Sequence, residues 1–181
     1  MTPFEYIKKI AALNNSIHSE LSEISEQEFK KLSEERKKLW EQAKSLFPLF
    51  EETINKDNHI VSFHDGYIQS LSMNKTGILH IKTETTLYDK NTNEQESGYQ
   101  ITDIYMNILK LPEGGMSLSR QSIILNMEFT DNEFAIEFLP KNNHSSSLIE
   151  SYDISAIDIS HGSFIQYNRN KKTFKSNKKN L

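Results

Sequence analysis

The chain has 181 residues, no cysteine, and a formal net charge of −4 from 21 Lys and Arg against 25 Asp and Glu. The lack of cysteine excludes disulfides, cysteine–zinc sites and thiol nucleophiles. There is no apolar run of about 18 residues and no cationic-then-apolar N-terminus, so the sequence predicts a cytoplasmic protein with neither a membrane span nor a secretion signal.

Residues 1–58 carry the signals of helices. Thr2-Pro3-Phe4-Glu5 is a capping box with proline at the first helical position, and a second capping box runs from Ser25 to Glu28. Apolar residues recur at helical spacing after each box, which predicts two helices in an antiparallel hairpin and a short third helix over 49–54. The second helix carries a stripe predicted to be ordinary core: Phe29, Leu32, Leu39, Trp40, Ala43, Leu46 and Phe47.

From residue 59 the apolar pattern changes to a period of two, which predicts strands. The candidate strands lie at 59–63, 66–73, 78–87, 99–111, 122–129, 133–139 and 148–160. Short polar loops join them, and such loops favour antiparallel pairing because parallel crossovers need a dozen or more residues. The predicted fold class is therefore α+β, with a helical hairpin followed by an antiparallel β-meander or small sandwich of about six strands.

The chain has three predicted parts, which differ in net charge. Residues 1–58 form a helical hairpin appendage with net charge −2, and residues 59–168 form an antiparallel β domain with 6 basic and 14 acidic side chains, net −8. Residues 169–181 carry 6 basic and no acidic side chains and are predicted to be a mobile tail. The acidic middle part would repel nucleic acid and attract a basic partner.

The most distinctive segment is Phe63-His64-Asp65-Gly66-Tyr67-Ile68. A metal or general-base site could be assembled from His59, His64, Asp65 and His80, because imidazole and carboxylate bind first-row metals well. Neighbouring residues of an extended chain point to opposite faces, however. Asp65-Gly66 is also typical of a turn in which the Asp carboxylate accepts backbone N–H bonds. We therefore interpret His64, Asp65 and Gly66 as structural, and predict no catalytic, cofactor-binding or metal-binding residues.

A second segment whose residue types could support catalysis is Ser160-His161-Gly162-Ser163. No Gly-x-Ser-x-Gly pattern surrounds it, so the pattern favours a strand-to-turn junction over a nucleophilic serine.

The run Ser62 to Ser70, followed by the Leu79/Ile81 strand and the Ile104 to Leu111 strand, resembles a group of small uncharacterised bacterial proteins. Their β domain opens with a hydrophobic-His-Asp-small-x-Ile segment, and some are similar to immunity proteins of polymorphic toxin systems. The resemblance covers roughly residues 60–160. It implies stoichiometric binding of a toxin domain rather than turnover, with no cofactor.

The leading hypothesis is therefore a non-enzymatic cytoplasmic protein that occludes a basic protein partner, such as a toxin domain, through its acidic β domain. Tyr67, Tyr99 and Tyr105 are the predicted anchors, since tyrosine is enriched among the residues that dominate binding energy. One alternative is a structural module that forms homodimers through the helical hairpin. The other is a metal-dependent hydrolase around His64 and Asp65. Neither a nucleic-acid nor a membrane partner is expected.

Overall fold

The computed structural model describes residues 1–19, 25–47, 53–54, 59–141 and 146–166. Two N-terminal helices pack together and precede an antiparallel sheet, which confirms the predicted α+β class. The elements are α1 (Pro3–Ser19), α2 (Glu26–Lys44), β1 (Thr53–Ile54), β2 (His59–Ser62), β3 (Ile68–Met73), β4 (Ile78–Asp89), β5 (Gly98–Lys110), β6 (Ile123–Phe129), β7 (Glu133–Leu139) and β8 (Leu148–Gln166). Among the described residues, no helix is long and apolar enough to cross a membrane.

Both helices start where the capping boxes predict. Thr2 Oγ1 accepts a hydrogen bond from the Glu5 amide at 3.2 Å, and Glu5 Oε2 accepts one from the Thr2 nitrogen at 2.9 Å. Ser25 Oγ accepts from the Glu28 amide at 3.3 Å at the start of α2. These bonds satisfy amides that have no partner inside the helix, so local sequence alone determines where each helix begins.

The apolar stripe of α2 is only partly core. Leu39, Ala43 and Phe47 are buried in a small hydrophobic cluster with residues of α1. Phe29, Trp40 and Leu46 are 43%, 50% and 49% exposed, so the prediction that the whole stripe is core is wrong for these three. The cluster consists of Tyr6, Ile7, Ile10, Leu39, Ala43, Phe47 and Ala135, so it lies between the helices and strand β7.

The predicted third helix is wrong at its end. Thr53 and Ile54 form strand β1, paired antiparallel with Val61 and Ile60 of β2. Residues 49–52 of that prediction lie outside the described residues. Pairing with a neighbouring strand supplies main-chain partners that a single helical turn would leave unsatisfied.

The sheet is not a simple meander. The strand order is β1-β2-β4-β5-β8-β7-β6, and β3 also pairs with β4, so the described residues form eight strands where about six were predicted. Strand β8 lies between β5 and β7 and extends to Gln166. Residues 160–163 therefore lie within a strand, and the strand-to-turn junction predicted there is wrong.

The sheet curls until its two ends are joined by main-chain hydrogen bonds, and we call this junction the seam (residues 65–68 against 121–124). The Asp65 amide donates to the Ile124 carbonyl at 2.8 Å, and the Ile124 amide donates to the Gly66 carbonyl at 2.8 Å. The Ile68 amide donates to the Ser122 carbonyl at 3.0 Å. Because these bonds pair main-chain groups that two sheet edges would otherwise expose, the seam closes the sheet around its core.

The interior of the curled sheet holds the main hydrophobic core. Its largest fully buried members come from β3 to β8 and include Ile68, Leu79, Ile81, Ile104, Met106, Ile124, Phe134, Phe138 and Tyr152. Two buried threonines add a polar contact, since Thr85 Oγ1 lies 3.0 Å from Thr102 Oγ1. The alternation of buried and exposed residues along β4 and β5 matches the predicted period of two.

A buried carboxylate ties the 116–122 segment to β8. Glu150 is 5% exposed, and its Oε1 accepts from the amides of Ser117 and Leu118, the latter at 3.2 Å. Its Oε2 accepts from the Tyr152 hydroxyl at 2.5 Å. Several donors thus compensate the cost of burying this carboxylate.

Candidate binding surface

The His64-Asp65-Gly66 segment forms the turn that leads into the seam. The Gly66 amide donates to the Phe63 carbonyl at 3.0 Å, and Asp65 has a φ of 61°, in the left-handed region that Asp tolerates. The predicted turn is present, but main-chain bonds hold it rather than bonds accepted by the Asp65 carboxylate. The side chains of His64 and Asp65 are 65% and 78% exposed, with Nδ1 and Oδ1 3.4 Å apart.

Gly66 is required by close approach of the backbone. A Cβ at this position would lie 2.4 Å from the Glu84 carbonyl oxygen and 2.9 Å from that of Phe63. Real Cβ atoms do not come so close to backbone oxygens, so any larger residue would push the turn away from β4.

The four residues considered for a metal site do not converge. His59 Nε2 lies 2.9 Å from Glu96 Oε1, and His80 Nε2 lies 2.7 Å from Asp103 Oδ1. Among the residues that the structure describes, His64 is paired with its neighbour in sequence, Asp65. Each histidine thus faces a different carboxylate.

A different trio does come together at the edge of the sheet. His59, Asp89 and Glu96 each offer a ligand atom within 4.8 Å of the others. Asp89 Oδ1 accepts from the amides of Asn91 and Thr92 at 2.7 and 2.9 Å, and these backbone bonds lower the pKa of Asp89. His59 Nδ1 is buried without a hydrogen-bond partner among the described residues, whereas a metal-bound histidine usually donates its second N–H to a neighbour. The trio is therefore better explained as a turn cap beside a His–Glu pair.

The three predicted tyrosine anchors do not form one patch. Tyr67 lies at the seam and is 50% exposed, while Tyr105 lies on β5 and is 40% exposed. Tyr99 is half-buried on the same outer face of β5 as Tyr105. Six residues separate these two, which is about 20 Å along a strand. A partner that contacts one would have to extend far to contact the other.

Several polar side chains surround Tyr105 on the outer face of the sheet. We call this group the Tyr105 patch (His80, Asp103, Tyr105, Asn107 and Asp158). The Tyr105 ring stacks on the His80 ring, with centroids 4.3 Å apart and planes at 6°. Asp103 Oδ1 lies 2.7 Å from Nε2 of the same imidazole. Asp158 is the register partner of Tyr105 on β8, and Asn107 Nδ2 donates to Ser155 Oγ at 2.8 Å.

Sequence reasoning found Tyr105 but missed His80 and Asp103 as its partners. They are 25 and 2 residues away in sequence and meet Tyr105 only through the pairing of β4 with β5, where His80 is opposite Tyr105. The alternating pattern placed all three on one face. Register, which the pattern does not specify, was the missing information.

A serine lies next to this pair and raises the question of catalysis. Ser72 is the register partner of His80, so a serine, the imidazole and the Asp103 carboxylate lie on three neighbouring strands. That order is the one used in acyl transfer, but the bonding described for His80 runs to Asp103 and not to Ser72. Acyl transfer also needs free donors for an oxyanion, and in this region the strands pair their main-chain groups with one another.

The acidic character predicted for residues 59–168 is partly internal. Three of the 14 acidic residues, Glu128, Glu137 and Glu150, are buried at 5% exposure each. On the outer face around Tyr105 the carboxylates that remain are Glu84, Asp103 and Asp158, with Lys82 among them. The face stays acidic, but less so than the charge count alone predicts.

Comparison with known proteins gives no relative for this chain. Neither a family model, nor a curated protein, nor a solved structure matches it. The likeness to immunity proteins therefore depends on the sequence segment around His64 and Asp65.

Proposed function

We propose that this chain is a non-enzymatic binding protein that captures a basic segment of a protein partner on the Tyr105 patch. A toxin domain is the kind of partner that the sequence resemblance suggests. The observation that carries the proposal is the exposed Tyr105 ring, held flat against His80, which is itself held by Asp103.

This arrangement orders the Tyr105 side chain before a partner binds. Binding normally costs the ordering of interface side chains, about 0.5–1.5 kcal/mol for each flexible one. The stacked ring and the 2.7 Å bond at His80 already restrict two side chains of the patch. Tyrosine then offers a large apolar surface together with a hydroxyl, which is why it recurs at the centre of interfaces.

The charge of the patch selects the partner. Asp103 lies two residues before Tyr105 on β5, and Asp158 is opposite Tyr105 on β8. Carboxylates beside an aromatic anchor attract Lys and Arg and increase the association rate at low salt. They would repel the phosphates of nucleic acid.

The test begins by isolating a partner through photo-crosslinking from a position beside Tyr105. The purified partner is then titrated against the wild type and against Tyr105→Ala. We expect the variant to bind about 30-fold more weakly, as for a hot-spot tyrosine worth about 2 kcal/mol. Tyr67→Ala is the matched control, because Tyr67 is also exposed, at 50% against 40% for Tyr105, but lies at the seam. Loss of binding in the Tyr67 variant alone would contradict the proposal.

Salt provides a second measurement on the same complex. Raising ionic strength from about 0.05 M to about 0.5 M should reduce the association rate several-fold, because salt screens the attraction between the carboxylates of the patch and a basic partner. A partner that associates at the same rate in both conditions would argue against the role of Asp103 and Asp158, even if Tyr105 matters.

The exposed apolar residues of α2 favour a second candidate function, self-association through the helical hairpin. Phe29 and Leu46 remain 43% and 49% exposed although both lie on the stripe predicted to be core. The measurement is molar mass by light scattering over a wide concentration range. A dimer that dissociates in Phe29→Glu or Leu46→Glu would support this candidate, whereas a monomer at every concentration would remove it.

A further inference from the structure

A polar cleft of about 500 Å³ opens between helix α1 and the strands beneath it. Asn14 and Asn15 of α1 line it on the helix side, Asn126 of β6 and Glu137 of β7 line it on the sheet side, and Ser147 and His64 also line it. The cleft is remote from the Tyr105 patch, which lies on β4, β5 and β8. An inference about the cleft therefore stands without the proposed function.

Glu137 is the acidic side chain that lines the cleft. The residue is 5% exposed, yet it lines the cleft. Its Oε1 accepts from the Ser147 hydroxyl at 2.7 Å, and its Oε2 accepts from the Asn126 side-chain amide at 2.5 Å. Both oxygens act as acceptors, which is the bonding pattern of an ionised carboxylate.

The other two buried glutamates, Glu150 and Glu128, differ from Glu137 in their bonding or protonation. Glu150 accepts from two backbone amides and a tyrosine hydroxyl. Burial raises the pKa of Glu128 to about 9, so that side chain is neutral near pH 7. Among the described residues, Glu137 has two neutral donors, and the ion pairs involve other carboxylates. Since a carboxylate has about four acceptor sites, Glu137 can accept further bonds.

We propose that the cleft binds one cationic group with several N–H donors, a guanidinium or a primary ammonium, which pairs with Glu137. A buried charge is normally paired, and this carboxylate faces a space large enough for such a group. The side-chain oxygens of Asn15 and Ser147 can accept the remaining N–H groups. Arg36 lies near the rim, where its Nη1 donates to Asn14 Oδ1 at 3.3 Å, and it does not contact Glu137 among the ion pairs of the described residues.

The test compares two probes of the same shape, ethylguanidinium and the neutral N-ethylurea, by NMR titration of the full chain. With ethylguanidinium we expect saturable shifts at the backbone amide of Ser147 and at the side-chain amide of Asn14. Ethylurea should bind at least about tenfold more weakly, because it lacks the charge. Equal binding of the two probes, or no saturation below about 50 mM ethylguanidinium, would overturn the proposal.

Glu137→Gln keeps the shape and removes the charge, so the shifts should disappear. Glu113→Gln, at an exposed carboxylate in the turn after β5, is the matched control and should bind like the wild type. If Glu137→Gln does not fold, Asn15→Trp replaces it. Asn15 is exposed on α1, and an indole there would fill the mouth of the cleft without touching the carboxylate. Unchanged binding in Asn15→Trp would place the probe elsewhere and overturn the proposal.

The cation could come from a small molecule or from a side chain of another protein. The tripeptide Gly-Arg-Gly with blocked ends distinguishes the two sources. Tighter binding of the tripeptide than of ethylguanidinium supports a side chain as the natural occupant, and weaker binding supports a small molecule. A tripeptide whose binding does not depend on Glu137 would contradict both.

Discussion

The two faces of strand β7 are both buried, but against different neighbours. Phe134, Ile136 and Phe138 point into the curled sheet and join the main core. Ala135 belongs to the cluster under helix α1, and Glu137 lines the cleft beside that helix. One strand therefore separates an apolar interior from a helix-covered layer that contains carboxyl groups.

The sheet side and the helix side of β7 also differ in how their buried polar groups are hydrogen-bonded. On the sheet side, Glu150 is bonded to Ser117, Leu118 and Tyr152. On the helix side, Glu128 Oε2 is buried without a partner among the described residues. The difference indicates that the closed sheet is the stable frame of the molecule. Under the helix, carboxyl groups are retained at a cost to stability, which is where we expect binding chemistry.

The largest effect is expected on the sheet side, from Glu150→Ala. This change leaves the Tyr152 hydroxyl and the Leu118 amide buried without their acceptor, and we expect a loss of about 4 kcal/mol of unfolding free energy. Urea denaturation monitored by circular dichroism measures it. Glu113→Ala, at an exposed position, should change stability by less than about 0.5 kcal/mol. A small loss in Glu150→Ala would mean that the 116–122 segment is held by other contacts.

Gly66→Ala tests the seam. Its Cβ would lie 2.4 Å from the Glu84 carbonyl oxygen, so the turn must shift and the seam bonds must lengthen. We expect a loss of about 3 kcal/mol, the upper range for overpacking. Gly114→Ala is the control, since Gly114 has a φ of +88° but no atom within 4 Å of a Cβ. It should lose only about 1–2 kcal/mol, from backbone strain. Equal losses would show that packing at Gly66 is unimportant.

On the helix side, Glu128→Gln should change how stability depends on pH. Burial raises the pKa of Glu128 from 4.5 to about 9 in the folded protein. The folded state then keeps a proton that the unfolded state releases above its own pKa, so wild-type stability falls as pH rises between these values. Glutamine has no proton to keep. The stability of the variant relative to the wild type should rise by about 1 kcal/mol for each pH unit between 5 and 8.

Denaturation curves at several pH values measure this difference. Tyr6 is the neighbour to control, because burial, and secondarily Glu128, raises the pKa of its phenol. Tyr6→Phe should leave the pH dependence between 5 and 8 unchanged. A stability difference between Glu128→Gln and wild type that stays constant with pH would show that Glu128 is ionised when folded, and the contrast between the two regions would then weaken.

Local signals predicted most of the elements. The capping boxes at Thr2 and Ser25 placed both helix starts, because they act within four residues. The alternation of β4 and β5 placed their buried faces, because side chains of a strand alternate whatever its partner is. The failures occurred at Thr53–Ile54 and at residues 160–163, where pairing with a distant strand determined the structure.

The candidate surfaces were much less predictable. The sequence indicated Tyr105 and the His64 turn, and it gave no signal for the stacking of His80 or for the burial of Glu137. Both depend on which strands are neighbours and in which register. A glutamate in an alternating strand looks the same whether its outer face meets water or a helix.

The sequence by itself determined the helix starts, the strands and their inner faces, and an acidic middle segment without cysteine. These follow from propensity, periodicity and composition, which are properties of short stretches of chain. Only the tertiary structure decided that the sheet closes at Asp65 to Ile68, that α1 covers β7, and that three glutamates are buried. The physical reason is that closure and burial arise from contacts between residues far apart in sequence, whose energies no local pattern records.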